Sequence, residues 1–216
     1  MAEDRSEQPR AVNRTEHHSA LAIGTCVGRY QIASVLGQGA FGITYRASDL
    51  QLDRDVALKE YLPALLAMRI DGVTVLPRST QVAADFAWGR ARFLDEAKTI
   101  ARLAHAPAVV HVHDFLEANG TAYVVMQLVE GETLAARCRR EGRLSQSAIE
   151  RILYPLLDGL EQVHTTGFLH RDIKPENIII GGDGSPTLID LFPVVCIPDL
   201  AVCINEFACL DEANQI

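Results

Sequence analysis

HRDIKPENIIIGGDGSPTLID, residues 170–190, decides how this chain is read. It begins with a dense polar cluster, runs into three isoleucines of strand character, and closes on an acid after a Gly-rich turn. In the cluster, Asp172 is a candidate to take a proton from an attacking hydroxyl. Lys174 is a candidate to hold a phosphate in transfer. Asn177, five residues after Asp172, and Asp190 offer the hard oxygen donors that Mg²⁺ prefers. The plainer alternative is a charged surface loop before an apolar strand. Eight consecutive residues of this kind, with Asp190 at its spacing, argue against it.

A second stretch, RYQIASVLGQGAFGITYRASD, alternates like two strands joined by a glycine-rich turn, Gly37-x-Gly39-x-x-Gly42. Such glycines let backbone amides approach phosphate oxygens. The pattern also occurs in dinucleotide-binding folds, but there it opens a helix, and here the glycines lie between strands. A further strand follows, DVALKEYLP, with Lys59 two residues beyond the small Ala57.

With these residues in place, the chain resembles the bacterial members of the eukaryotic-type serine/threonine protein kinases. GQGAFGITY, VALKEYLP, HRDIKPEN and LID stand in that family's order, and the resemblance covers about residues 28–190. It implies an α+β, two-lobed fold with a complete N-lobe, an antiparallel sheet plus the αC helix, and the first part of a helical C-lobe. The implied division is a flexible leader at 1–27, the N-lobe at 28–126, the hinge and partial C-lobe at 127–190, and an apolar tail at 191–216.

The implied ligands are ATP and Mg²⁺, and the implied activity is transfer of the γ-phosphate to a Ser or Thr hydroxyl of a protein. By resemblance, Asp172, Lys174, Lys59 and Glu96 are the catalytic set, and Asn177 and Asp190 hold the metal. Gly37, Gln38, Gly39, Ala40, Phe41, Gly42, Thr44, Ala57, Lys59, Met126, Gln127, Val129 and Ile179 line the nucleotide. Thr44 stands where the family often has valine. Glu96 is the expected ion-pair partner of Lys59, in a helix whose Phe93, Leu94, Ala97, Ile100, Ala101 and Leu103 repeat at near-helical spacing. Asp95 is the neighbouring alternative, about 100° around that helix. Lysine two positions after the catalytic Asp is the serine/threonine pattern, and Arg171 stands where the family pairs with a phosphorylated activation loop.

Elsewhere, residues 60–90 read as an insert that Pro63 and Pro77 keep from forming one long helix, with an extra short strand around Gly72–Leu76. Its Arg69, Arg78, Arg90 and Arg92 read as scattered surface charges, and Trp88 as a packing anchor. Asn119-Gly120 marks a hairpin turn. Helices are expected near ETLAARCRR and from a Ser145 cap to Gly167, the second bent at Pro155. His164 and His170 read as structural.

A net charge of −8 argues against nucleic acid or an anionic membrane as the main partner. Five scattered cysteines form no disulfide framework, and with no signal-like or membrane-length apolar segment they point to a cytoplasmic protein. After Asp190 the family expects Phe-Gly, and the chain has Leu191-Phe192-Pro193, then a tail without Lys or Arg and without Ala-Pro-Glu. That shift is the expectation for a truncation or a reading-frame change. It would impair transfer and expose the apolar face of Leu153, Leu156, Leu157 and Leu160. The alternative function is a non-catalytic ATP-binding module.

Overall fold

The computed structural model describes residues 19–103, 106–167, 169, 170 and 172–190. The first 18 positions of the expected leader, Arg171, and the apolar tail from Leu191 lie outside the described residues.

Six antiparallel strands form the main sheet: β1 (Cys26–Val27), β2 (Tyr30–Gly39), β3 (Gly42–Asp49), β4 (Arg54–Tyr61), β7 (Val112–Ala118) and β8 (Thr121–Gln127), in the spatial order β1-β2-β3-β4-β8-β7. The period of two decides which side chains meet. Across β3, β4 and β8, Thr44 opposes Lys59, Lys59 opposes Val124, and Ala57 opposes Met126, so these five share one face. Tyr45, Glu60 and Tyr123 share the other.

Helix α1 (Ala83–Ala101) covers the Lys59 face. Its Phe86 and Phe93 place their rings 5.4 and 5.6 Å from that of Tyr61, the next residue of β4 on this face. Phe93, Leu94, Ala97 and Ile100 are buried as their spacing predicts, and Phe86 joins them from the first turn.

The opposite face is covered by two pieces that sequence reading placed differently. A hairpin, β5 (Ala67–Ile70) with β6 (Thr74–Pro77), occupies the insert. Residues 19–27, expected as the end of a leader, pack instead. Leu21 and Val27 are buried, and the Leu21 N–H donates to the Tyr45 hydroxyl at 3.1 Å. Trp88 is a second difference. It stands 41 % exposed on α1 beneath the Arg92 guanidinium, not as an anchor.

The β7–β8 turn is as expected, with Asn119 at φ 54° and Gly120 at φ 78°, the left-handed pair of a two-residue hairpin. Beyond the sheet, β9 (Glu132–Thr133) leads into α2 (Leu134–Glu141), capped by the Thr133 side chain on Ala136 N. Helix α3 (Gln146–Thr165) is capped by Ser145 on Ala148 N and continues through Pro155. β10 (Ile178–Ile180) pairs with both β9 and β11 (Pro186–Leu188), in a small sheet against α3. Leu153 and Leu157 are about half exposed, whereas Leu156 is buried. None of the described helices is long and apolar enough to cross a membrane.

Candidate active site

The loop from His170 to Asn177 is held by its own polar side chains. The Asp172 backbone N–H donates to His170 Nδ1 at 3.2 Å, which makes Nδ1 the acceptor and leaves Nε2 to donate to the Ile189 carbonyl at 3.3 Å. His170 is 1 % exposed, and burial lowers its pKa. It is therefore a neutral strut between the loop and the segment that delivers Asp190.

Asn177 is buried and uses its amide nitrogen twice, on the Asp172 carbonyl and on Asp172 Oδ2, both at 2.9 Å. Lys174 Nζ meets the same Oδ2 at 2.7 Å. Asp172 is thus aimed by two donors. Because Nδ2 of Asn177 is committed, its Oδ1 is the atom that remains to face a cation.

Lys59 and Asp190 meet across the two halves of the molecule in an ion pair. They are 131 residues apart in sequence. Asp190 adopts φ 61°, a left-handed conformation that Asp tolerates better than most residues.

The glycine-rich turn divides by role. A side chain at Gly37 or Gly39 would meet nothing within 4 Å, so that backbone borders open space. Gly42 is the reverse: a Cβ there would lie 1.9 Å from the Glu60 carbonyl oxygen. The carbonyls of Ala40 and Phe41 accept from Ala64 N and Leu62 N, at 3.0 and 2.9 Å, which ties the turn's tip to the segment after β4.

The family model described as the protein kinase domain matches residues 30–195, most of the chain. The chain belongs to the protein kinase domain family. Among relatives of this kinase domain, the serine/threonine-protein kinase PknE of Mycobacterium bovis is 35 % identical over 167 residues, 77 % of this chain and 26 % of its own length. PknA of Nostoc sp. is 36 % identical over 166 residues, 75 % of this chain and 27 % of its own. The chain therefore spans about a quarter of the length of these curated relatives. The apo form of PpkA-294 superposes with a TM-score of 0.74 at 37 % identity, covering 80 % of this chain and 62 % of that one. The M. tuberculosis PknI kinase domain gives 0.64 at 25 % identity, covering 82 % and 63 %.

Against this kinase frame, the structure gathers Asp172, Lys174 and Asn177 in one hydrogen-bonded group and joins Lys59 to Asp190. Thr44, Ala57 and Met126 share the Lys59 face, with Met126 buried at the β8 end. The Gln127 N–H donates to the His111 carbonyl at 2.8 Å, so that N–H is committed within the fold. Val129 follows β8, and Ile179 lies on β10 opposite Thr133. Glu96 stands on α1 with Oε2 buried, and Lys59 forms an ion pair with Asp190. Sequence reasoning missed Glu60 and Arg69. Its available signal was an acid at the third buried position of Val56-x-Leu58-x-Glu60.

Proposed function

We propose that this chain carries the nucleotide-binding and catalytic-loop machinery of a serine/threonine protein kinase, with ATP, Mg²⁺ and a protein hydroxyl as its reactants. The observation that supports it most is the Asp172 carboxylate, held by Asn177 Nδ2 and Lys174 Nζ, together with the Lys59–Asp190 pair. The donor set fits the proposed ligands. Asn177 Oδ1 and the Asp190 carboxylate are hard oxygens, Lys59 is a cation on the sheet face shared with Ala57 and Met126, and Gly37 and Gly39 leave room for phosphates. When bound, Mg²⁺ would neutralise charge on the transferring phosphoryl group.

The chain's own residues supply alignment and charge. Asp172 accepts the proton of the substrate hydroxyl as its oxygen bonds to the γ-phosphorus and the bond to the ADP oxygen breaks. Lys174 steadies the γ-phosphate. Lys59 holds the α- and β-phosphates, with Glu96 as the carboxylate that partners its ammonium. At Gln127 the adenine contact falls to the carbonyl, with Val129 supplying the next backbone group. Lysine at 174 supports a Ser or Thr acceptor.

Binding of ATP by titration calorimetry tests the reading. Affinity should require Mg²⁺, fall at least tenfold in Lys59→Met, and survive in Asp172→Asn. Equal binding by wild type and Lys59→Met would refute it.

A further inference from the structure

Lys59 and Glu60 are neighbours on β4 and point to opposite faces. Glu60 is fully buried and accepts three side-chain hydrogen bonds. Its Oε2 accepts from the Tyr45 hydroxyl at 2.8 Å and from an Arg69 terminal nitrogen at 2.5 Å, and its Oε1 accepts from the Tyr123 hydroxyl at 2.7 Å. These donors come from β3, β8 and the β5–β6 hairpin, so one carboxylate joins β4 to three elements.

Arg69 carries the connection outward. Its side chain is 3 % exposed, and it also donates to the Ser19 carbonyl at 2.7 Å and the Val73 carbonyl at 2.6 Å. It therefore fastens the hairpin and the residues before β1 to the strand that bears Lys59. A guanidinium suits this because its planar fork spreads its donors over Nε, Nη1 and Nη2 to reach three separated acceptors, whereas an ammonium gathers its donors on one nitrogen. Glu60's other neighbours are themselves fixed: Asn119 Nδ2 donates to the Tyr123 hydroxyl at 3.0 Å.

We propose that the buried Glu60–Arg69 pair is a positioning device for Lys59, through which the β5–β6 hairpin sets the affinity for the nucleotide's phosphates. Neither residue touches the nucleotide face. They act through the backbone of β4, one residue away from the lysine. The inference rests on Lys59 being the phosphate-binding lysine.

The test uses the full 216-residue chain. Mg-ATP affinity and amide hydrogen exchange across residues 56–61 are measured for wild type, Arg69→Met, Arg69→Lys and the double variant Glu60→Gln/Arg69→Met. Tyr30→Phe, which loses a hydroxyl bond to Asp114 at 2.9 Å towards the opposite end of the same sheet face, is the control for general destabilisation.

Arg69→Met should bind Mg-ATP at least tenfold more weakly, with faster exchange at 56–61. Arg69→Lys should bind about threefold more weakly. The double variant, which leaves no buried charge unpaired, should regain stability over Arg69→Met yet still bind Mg-ATP at least threefold more weakly than wild type, because the tether to the hairpin is gone. Tyr30→Phe should bind as wild type. The proposal is overturned if Arg69→Lys and Tyr30→Phe match wild type in both readouts, or if the double variant binds Mg-ATP as wild type does. Should Arg69→Met fail to fold, Arg69→Lys and the double variant decide. A wild-type chain that binds no Mg-ATP refutes the kinase reading instead, and exchange at 56–61 then decides whether Arg69 holds β4.

Discussion

Gly42→Ala separates two uses of glycine that the glycine-rich motif does not distinguish. The added Cβ would sit 1.9 Å from the Glu60 carbonyl oxygen, and 3.2 Å from the Leu62 nitrogen. Ordinary C···O contact is about 3.3 Å, so β3 and β4 must part by more than an ångström at this end. That end is where Gly42 pairs with Tyr61 and Ile43 with Glu60. Overpacking of this kind costs about 1–3 kcal/mol, and a lost ladder hydrogen bond about 1 kcal/mol more. Restricting the unfolded chain returns about 0.4–1 kcal/mol. The net loss is then about 1–3.6 kcal/mol, or a fall in Tm of about 2–14 °C for a domain of this size. Gly39→Ala is the internal comparison, since its Cβ meets nothing within 4 Å. Its stability should stay within about 0.5 kcal/mol of wild type, while Mg-ATP binding weakens because the Cβ intrudes on the phosphate approach. Thermal unfolding by circular dichroism, with nucleotide titration, reads both. A Gly42→Ala chain melting within about 1 °C of wild type would refute the steric argument.

Two further outcomes follow from the same geometry. His170 is buried and its folded pKa lies below its unfolded value of about 6.5, so between those values the unfolded chain binds more protons. Its contribution is complete above about pH 6.5 and is lost as pH falls through that window; His113, lowered mainly by burial and then by Arg54, adds in the same direction. Tm should therefore drop from pH 7.5 to 5.5, less steeply in His170→Gln, and an equal slope in the two would contradict the strut role. Gly159→Ala places a Cβ 2.0 Å from the Pro107 carbonyl oxygen where α3 meets the segment leading to β7. It should cost about 1–3 kcal/mol by chemical denaturation, and an unchanged midpoint would show that α3 does not bear on that segment.

The parts that were legible in the sequence are those in which chemistry and spacing sit within a few residues. The turn Gly37–Gly42, the cluster Asp172–Asn177, the Asn119-Gly120 hairpin and the Ser145 cap each carry their own local reason. The β5–β6 hairpin was only partly legible, as a strand near Gly72–Leu76. Arg69 was misread because a lone Arg in a short strand looks solvated until its partner is known. That partner, Glu60, lies on another element and is marked only by an acid on the buried side of Val56-x-Leu58-x-Glu60. Residues 19–27 were misread for a similar reason. Leu21 and Val27 are too few to show a period, and they bury only because the Tyr45 face of the sheet is there to receive them.

The distinction between Gly37 or Gly39 and Gly42 also needed the fold. All three satisfy the same motif, yet only Gly42 packs against the neighbouring strand's backbone. The Lys59–Asp190 pair could not be read from spacing, since it joins β4 to the segment after β11.

The central claim is that Asp172 stands in a phosphoryl-transfer site, and transfer of γ-labelled phosphate from ATP to a generic protein substrate tests it most directly. The account predicts Mg²⁺-dependent label on Ser or Thr, lost in Asp172→Asn while that variant still binds Mg-ATP. Label that persists undiminished in Asp172→Asn, or Mg-ATP binding by wild type with no transfer at all, would contradict it.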